Sequence, residues 1–237
     1  GKSMNWVEYF LFQIYPYLCL SVFVIGCWAR FDRSQFSWRA ESSEFLERKT
    51  LKWASNSFHV GVLGLMMGHA VGLLTPPQLT EMLGLSAHAH QLLAVGAGSV
   101  FAVFAAVGGA GLIYRRVFNK RVKATSRPTD LFILLFVYAQ LWLGILGLPH
   151  SMMHSDGHTM EILGEWCRGI LTFRSGLPNL LTAIPWVYKL HLVTGMTLFL
   201  LTPFTRLVHV ISAPIWYVFR PGWQIVRQNH HVANDET

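Results

Sequence analysis

Five long apolar runs divide this chain, and each is long enough to cross a lipid bilayer as a helix. The runs cover residues 9–29, 53–74, 91–114, 131–148 and 186–211. A spanning helix needs about 20 mostly apolar residues. Because lipid offers the backbone no hydrogen-bond partner, each run must satisfy its own N–H and C=O groups, which a helix does. The sequence therefore predicts an all-α integral membrane bundle of five transmembrane helices, forming one domain over residues 1–237.

The composition agrees with a membrane protein and excludes several other classes. Charged residues make up 13% of the chain, against about 25% in soluble domains. The formal net charge of +7 would suggest nucleic acid in a soluble protein, but here it belongs to loops, and we expect no nucleic-acid partner. Cys19, Cys27 and Cys167 form no CxxC or CxxCH motif, which argues against a disulfide framework, a zinc site and a c-type haem.

The basic residues of the loops predict the orientation of the chain. They cluster after the first and third runs and in the C-terminal tail, residues 212–237, whereas residues 75–90 contain no Lys or Arg. The positive-inside rule therefore places the N-terminus outside and the C-terminus in the cytoplasm. The first run is followed at once by Arg30, so we interpret it as a retained span. Between the fourth and fifth runs, residues 159–173 are expected to form a short helix at the outer surface.

Four of the eleven histidines lie inside predicted spans, where an ionisable ring is costly and usually functional. His59 and His69 are on the second span, and His191 and His209 are on the fifth. These two spans run antiparallel because two others separate them along the chain. His59 and His209 therefore form an inner pair, and His69 and His191 form an outer pair.

Paired imidazoles at two depths suggest two b-type haems, because bis-histidine ligation of a haem iron needs no thiol. A proton relay in a transporter and another kind of metal site are the alternatives. The histidine spacings on the two spans do not match if both helices are straight. His59 and His69 are 10 residues apart on the second span, about 15 Å, whereas His191 and His209 are 18 residues apart on the fifth, about 27 Å. Pro203 would kink the fifth span and reduce this mismatch.

Glycines near the four histidines have two interpretations. They would let a flat macrocycle approach the backbone, or they would serve ordinary close helix packing. The glycines in question are Gly61, Gly64, Gly68 and Gly195.

Several motifs resemble the gamma subunit of membrane-bound respiratory nitrate reductases, a di-haem b quinol dehydrogenase. They are IYPY at residues 14–17, WRAESSEFLERK at 38–49, ASNSFHVGVLG with GH at 54–69, GLLTP at 72–76 and LHLVTGMTLFLLTPFTRLVH at 190–209. The resemblance extends from about residue 4 to residue 217, and the last of these motifs is long and specific.

The resemblance implies a concrete function in the bacterial inner membrane. His69 and His191 would hold an outer haem, and His59 and His209 an inner haem. Quinol would be oxidised near the outer haem, and electrons would pass through the inner haem to a cytoplasmic iron–sulfur beta subunit. A molybdenum-containing alpha subunit would then reduce nitrate. A di-haem anchor of another reductase is the alternative within this class.

The quinol site departs from the family pattern, which has a lysine just before the third span. Residues 75–98 contain no lysine, but His88 and His90 stand there. Their titration range suits hydrogen bonding to a quinone carbonyl or acceptance of a quinol proton, although they also fit plain loop histidines.

Cationic side chains near the span ends are candidate partners of haem propionates. Arg206, Arg115 and Arg116 are placed for the inner haem, and Lys189 and Arg174 for the outer one, unless they serve as interface anchors. The inner loop, residues 30–52, is a candidate docking surface for soluble subunits or a solvated loop that sets the topology.

Overall fold

The computed structural model describes residues 5–33, 48–84, 86–120, 127–153 and 157–210, except for the side chains of residues 33 and 48–51. The C-terminal tail, His154 and most of the inner loop with its proposed docking surface lie outside these ranges.

The described residues form five helices that are long and apolar enough to cross a membrane. These five spans are Trp6–Asp32, Lys52–Leu74, Ala87–Phe118, Pro128–Met153 and Trp186–Phe204. The described part of the chain is helical and contains no strand, so the prediction of an all-α bundle with five spanning helices is confirmed. Their large apolar side chains remain exposed along much of their length, as expected of helices that face lipid.

Local sequence signals explain where several helices begin. Ser86 accepts a hydrogen bond from the Ala89 amide at 3.2 Å and caps the third span, which runs as one α-helix from Ala87 to Phe118. Proline begins the helices Pro77–Met82 and Pro128–Met153, a position where its missing N–H would have no partner. The second span belongs to the helix Arg48–Leu74.

The second and third spans pack most closely, through small residues. A Cβ placed on Gly61 would come within 2.3 Å of the Ala105 nitrogen, and one on Gly108 would come within 2.3 Å of the Phe58 nitrogen. Gly64 faces the ring of Phe101. These contacts assign Gly61 and Gly64 to helix packing and not to the approach of a macrocycle.

The remaining contacts arrange the spans in the order second, third, fourth, fifth, first. The second and fifth spans, which carry the four histidines, make no comparably extensive contact with each other in the part of the chain that the structure describes. These two spans meet through histidine rings.

A surface helix, His158–Leu171, lies between the fourth and fifth spans, close to the predicted range. It packs on the first span, where a π-helical turn, Phe10–Ile14, interrupts the α-helix that resumes as Tyr15–Arg33. The Trp166 indole nitrogen donates to the Phe12 carbonyl at 3.0 Å. A π turn commonly frees backbone groups at a functional or docking position, and here it anchors the surface helix.

The fifth span is broken, not merely kinked. Its α-helix runs from Trp186 to Leu201 and is followed by 3₁₀ turns at Thr202–Phe204 and Arg206–Val208. Pro203 lacks an N–H and cannot continue the helix, and Thr205 between the turns is extended, with φ −126° and ψ 178°. The predicted span 186–211 therefore continues beyond Leu201 as 3₁₀ turns and not as one straight α-helix, and His209 directly follows the second of these turns.

Candidate functional site

The structure brings the four intramembrane histidines together in the two pairs that topology predicts. The ring centroids of His59 and His209 are 6.0 Å apart with 62° between the ring planes. Those of His69 and His191 are also 6.0 Å apart, with 33° between the planes. Each pair joins the second span to the fifth across the space between them.

Backbone carbonyls fix the protonation of three of these rings. His59 Nδ1 donates to the Ser55 carbonyl at 2.7 Å, and His69 Nδ1 donates to the Leu65 carbonyl at 2.7 Å. His209 Nδ1 donates to the Arg206 carbonyl. Because a carbonyl only accepts, Nδ1 carries the proton and Nε2 keeps its lone pair, as in a metal-binding histidine.

His191 is held through its backbone and its ring edge instead. Gln140 Nε2 on the fourth span donates to the His191 carbonyl at 2.9 Å, and His191 Nδ1 is buried without a hydrogen-bond partner. A Cβ on Gly144 would come within 3.2 Å of His191 Cε1. Sequence reasoning missed Gln140 and Gly144, although Gln140 is the one amide side chain in the uncharged run 131–148.

The histidine pairs fit a metal centre with one imidazole on each face. Imidazole–metal bonds are about 2 Å long, so two such bonds plus the half-widths of two rings come to about the observed 6.0 Å. Among the described residues, no group of three or more His, Cys, Asp or Glu side chains could hold a metal ion by itself.

Two of the glycines near the histidines differ in their surroundings. No atom lies within 4 Å of a Cβ placed on Gly68, one residue before His69. By contrast, a Cβ on Gly195 would come within 3.0 Å of Gln140 Nε2. Of the four glycines singled out in the sequence, Gly68 alone borders open space in the described structure.

Three arginines lie near one another, and one of them, Arg206, contacts His209 of the inner pair through its backbone carbonyl. Arg206 forms an ion pair with Asp130 at 3.5 Å. Arg116 interacts electrostatically with Arg206, Asp130 and Arg115, and its Nη1 is buried without a hydrogen-bond partner. Among the described residues, this concentration of positive charge around Asp130 suits anionic groups.

The structure does not bring the predicted cations to the outer pair. Lys189 pairs with Glu8 of the first span at 2.8 Å, and two residues along a helix lie about 200° apart, so Lys189 and His191 point in different directions. Arg174 pairs with Glu165 at 2.6 Å on the exposed surface. Both side chains already have carboxylate partners on neighbouring elements.

The two histidines near the start of the third span differ in exposure. His90 lines a shallow pocket beyond the second span, together with Thr75, Glu81 and Arg168, whereas His88 is exposed. Arg168 Nη1 reaches from the surface helix to the carbonyls of Leu73 and Thr75 at 2.9 and 3.2 Å. Sequence reasoning missed this role of Arg168, because nothing in a single arginine signals its distant partner.

The fold and the site together define a multi-pass helical membrane protein with paired histidines between two of its spans. A family model for the nitrate reductase gamma subunit matches residues 8–229, and the chain belongs to this family. It is 44% identical to the respiratory nitrate reductase 2 gamma chain of Escherichia coli over 94% of its length and 98% of that protein.

Two further relatives support the same assignment. The respiratory nitrate reductase 1 gamma chain of Escherichia coli is 43% identical over 96% of this chain and 100% of its own length. The nitrate reductase gamma chain of Bacillus subtilis is 38% identical over 89% of this chain and 94% of its own. The chain is therefore a membrane subunit of an oxidoreductase complex, with other subunits as its partners.

Proposed function

We propose that this chain is the quinol-oxidising subunit of a respiratory nitrate reductase, and that it carries electrons across the bacterial inner membrane. The two histidine pairs, each with ring centroids 6.0 Å apart, are the observation that carries this proposal. They supply four imidazole ligands on two antiparallel spans, which is the donor set of two six-coordinate b haems. The haems would supply one-electron transfer between the outer and inner sides.

The protein's own residues would prepare each pair for ligation. The carbonyls of Ser55, Leu65 and Arg206 accept the Nδ1 protons of three rings, which leaves the Nε2 lone pair of each ring available to a metal. Such hydrogen bonds also raise the basicity of the ligand. A proton relay is less compatible with this arrangement, because these Nδ1 protons are committed to carbonyls.

The inner arginines would bind haem propionates. Arg115, Arg116 and Arg206 form a cluster beside the Asp130 carboxylate, and the unpartnered Arg116 Nη1 is a free donor for an anionic oxygen. At the outer side, Lys189 would have to leave Glu8 to do the same. His90, in the pocket beside Arg168, and His88 are the proposed acceptors of quinol protons.

Charge distribution supports the proposed orientation and partners. The excess of Lys and Arg after the first and third spans favours a cytoplasmic location for those loops and for the C-terminus. The inner haem would then lie next to a cytoplasmic iron–sulfur beta subunit, which would pass electrons to a molybdenum-containing alpha subunit. Nitrate would be reduced on that subunit and not on this chain.

Difference spectroscopy tests the proposal directly. Membranes containing the chain and its partner subunits should show b-haem α-band absorption in the dithionite-reduced minus oxidised spectrum. The bands should also appear on addition of a quinol and fade on addition of nitrate. Membranes without b-haem absorption would refute haem binding. Haem that dithionite reduces but quinol does not would refute the quinol-oxidising role.

A further inference from the structure

The break in the fifth span leaves backbone carbonyls without partners inside the helix. Because Pro203 has no N–H, the helix ends at Leu201 and the following residues must find hydrogen bonds elsewhere. Arg30 of the first span meets this need. Its Nη1 donates to the Pro203 carbonyl at 2.8 Å and to the Thr205 carbonyl at 2.9 Å.

The neighbouring residues of the first span also fit the break. A Cβ on Gly26 would come within 2.7 Å of Pro203 Cγ, so the absence of a side chain there makes room for the proline. Cys27 packs against Val208, and both are buried. Gly26, Cys27 and Arg30 lie on one helical face, which is the face that receives the segment 202–209.

The same segment is tied on its other side to the fourth span. Arg206, in the middle of the segment, pairs with Asp130 at 3.5 Å. Its carbonyl accepts the Nδ1 proton of His209, so the path of the segment sets the direction of the His209 ring. Any movement of the carbonyls held by Arg30 would therefore be transmitted to His209.

We infer that Arg30 is a positioning residue for the inner histidine pair, acting on His209 through the backbone of the broken fifth span. This inference rests on the proposed haem ligation. Hydrogen bonds from a charged donor are stronger than neutral ones, and one guanidinium nitrogen serves both carbonyls because its two hydrogens lie in a fixed plane. Arg30 thus satisfies two carbonyls that have no following α-helical turn after the break at Leu201.

Substitution of Arg30 in the full-length chain, expressed with its partner subunits, tests this role. Arg30→Met keeps the length of the side chain but removes both bonds. We expect total haem per chain to fall from two towards one, and the remaining spectrum and midpoint potential should match those of a His59→Ala variant, which retains the outer pair. Arg30→Lys keeps the charge and one or more donors, and should retain more inner haem.

Two further variants keep the test decisive. Lys120→Met removes an exposed inner cation and should leave both haems at wild-type occupancy. Gly26→Ala pushes on Pro203 directly, and should reduce the inner haem selectively even if Arg30→Met does not accumulate in membranes.

The contrary results are equally specific. Wild-type occupancy and potentials of both haems in Arg30→Met and Gly26→Ala would overturn the inference, and so would equal loss of both haems, which would indicate general destabilisation. Absence of haem from the unsubstituted chain would instead refute the proposed function.

Discussion

Gln140 on the fourth span donates a 2.9 Å hydrogen bond from Nε2 to the backbone carbonyl of His191 on the fifth. Its Oε1 accepts a hydrogen bond from the Thr194 hydroxyl. A single amide side chain therefore holds the turn that carries His191 against the fourth span.

Replacement of Gln140 by leucine should weaken the outer site selectively. The substitution removes two hydrogen bonds, each worth about 1 kcal/mol, while Thr194 keeps its 2.8 Å bond to the Leu190 carbonyl. We expect a shifted midpoint potential or lower occupancy of the outer haem in a redox titration, with the inner haem unchanged. Ala139→Leu, at the adjacent exposed position, should change neither, and an equal change in both haems would contradict the assignment.

Close packing of the second and third spans predicts that two glycines of the third span, Gly108 and Gly96, differ in how well they tolerate substitution by alanine. A Cβ on Gly108 would come within 2.7 Å of the Ala54 carbonyl, whereas none of the described atoms lies within 4 Å of one on Gly96. Gly108→Ala should destabilise the detergent-solubilised protein by about 1–3 kcal/mol through overpacking. Gly96→Ala should be neutral or stabilising by up to about 1 kcal/mol through helix propensity. Equal thermal unfolding midpoints for the two variants would argue against this packing.

Two arginines near the outer end of the bundle should contribute unequally to the stability of the fold. Arg168 caps the end of the second span by donating to the Leu73 carbonyl at 2.9 Å, and a hydrogen bond to a charged group is worth about 1.5–3 kcal/mol. Arg168→Met should therefore speed hydrogen exchange at the end of that span and lower the unfolding midpoint. Arg174→Met removes an ion pair with side chains 54% and 42% exposed, worth about 0–1 kcal/mol, and should have little effect. A larger effect of Arg174→Met would contradict this ranking.

Cysteine labelling in intact cells tests the orientation. Thr129 is exposed at the start of the fourth span, and Ala183 is exposed just before the start of the fifth. The two residues therefore lie at opposite ends of the segment that joins these starts. Ala183→Cys should react with a membrane-impermeant maleimide from outside, and Thr129→Cys only after permeabilisation.

Background labelling in this experiment should be low. Cys19 and Cys27 are buried. Burial raises the pKa of the Cys167 thiol, so the reactive thiolate is scarce at neutral pH and becomes abundant only as the pH rises. The opposite labelling pattern for the two introduced cysteines would invert the proposed topology.

Hydropathy and topology predicted the spans and the partners of the histidines, since helix direction alone fixes which residues share a depth. It was harder to predict which neighbour each face of a helix contacts. Gly61 serves the third span because that helix is its neighbour, a fact that no feature of the second span reveals. Lys189 likewise pairs with Glu8, 181 positions away along the chain, and its proposed role at the outer site did not take account of this carboxylate.

The break at Pro203 illustrates a different limit. Proline in a long apolar run predicts a kink. How far the helix departs from α-helical geometry depends on whether another element can satisfy the freed carbonyls. Here Arg30 does so and Gly26 leaves the necessary space. Both residues lie more than 170 positions earlier in the chain, so the sequence around Pro203 does not predict these contacts.

Haem content and potential in the four single histidine variants test the central claim most directly. His69→Ala and His191→Ala should each lose the outer haem and give the same residual spectrum. His59→Ala and His209→Ala should each lose the inner haem and share a second residual spectrum. Four variants that retain both haems, or spectra that group His59 with His69 instead, would contradict the pairing on which this account depends.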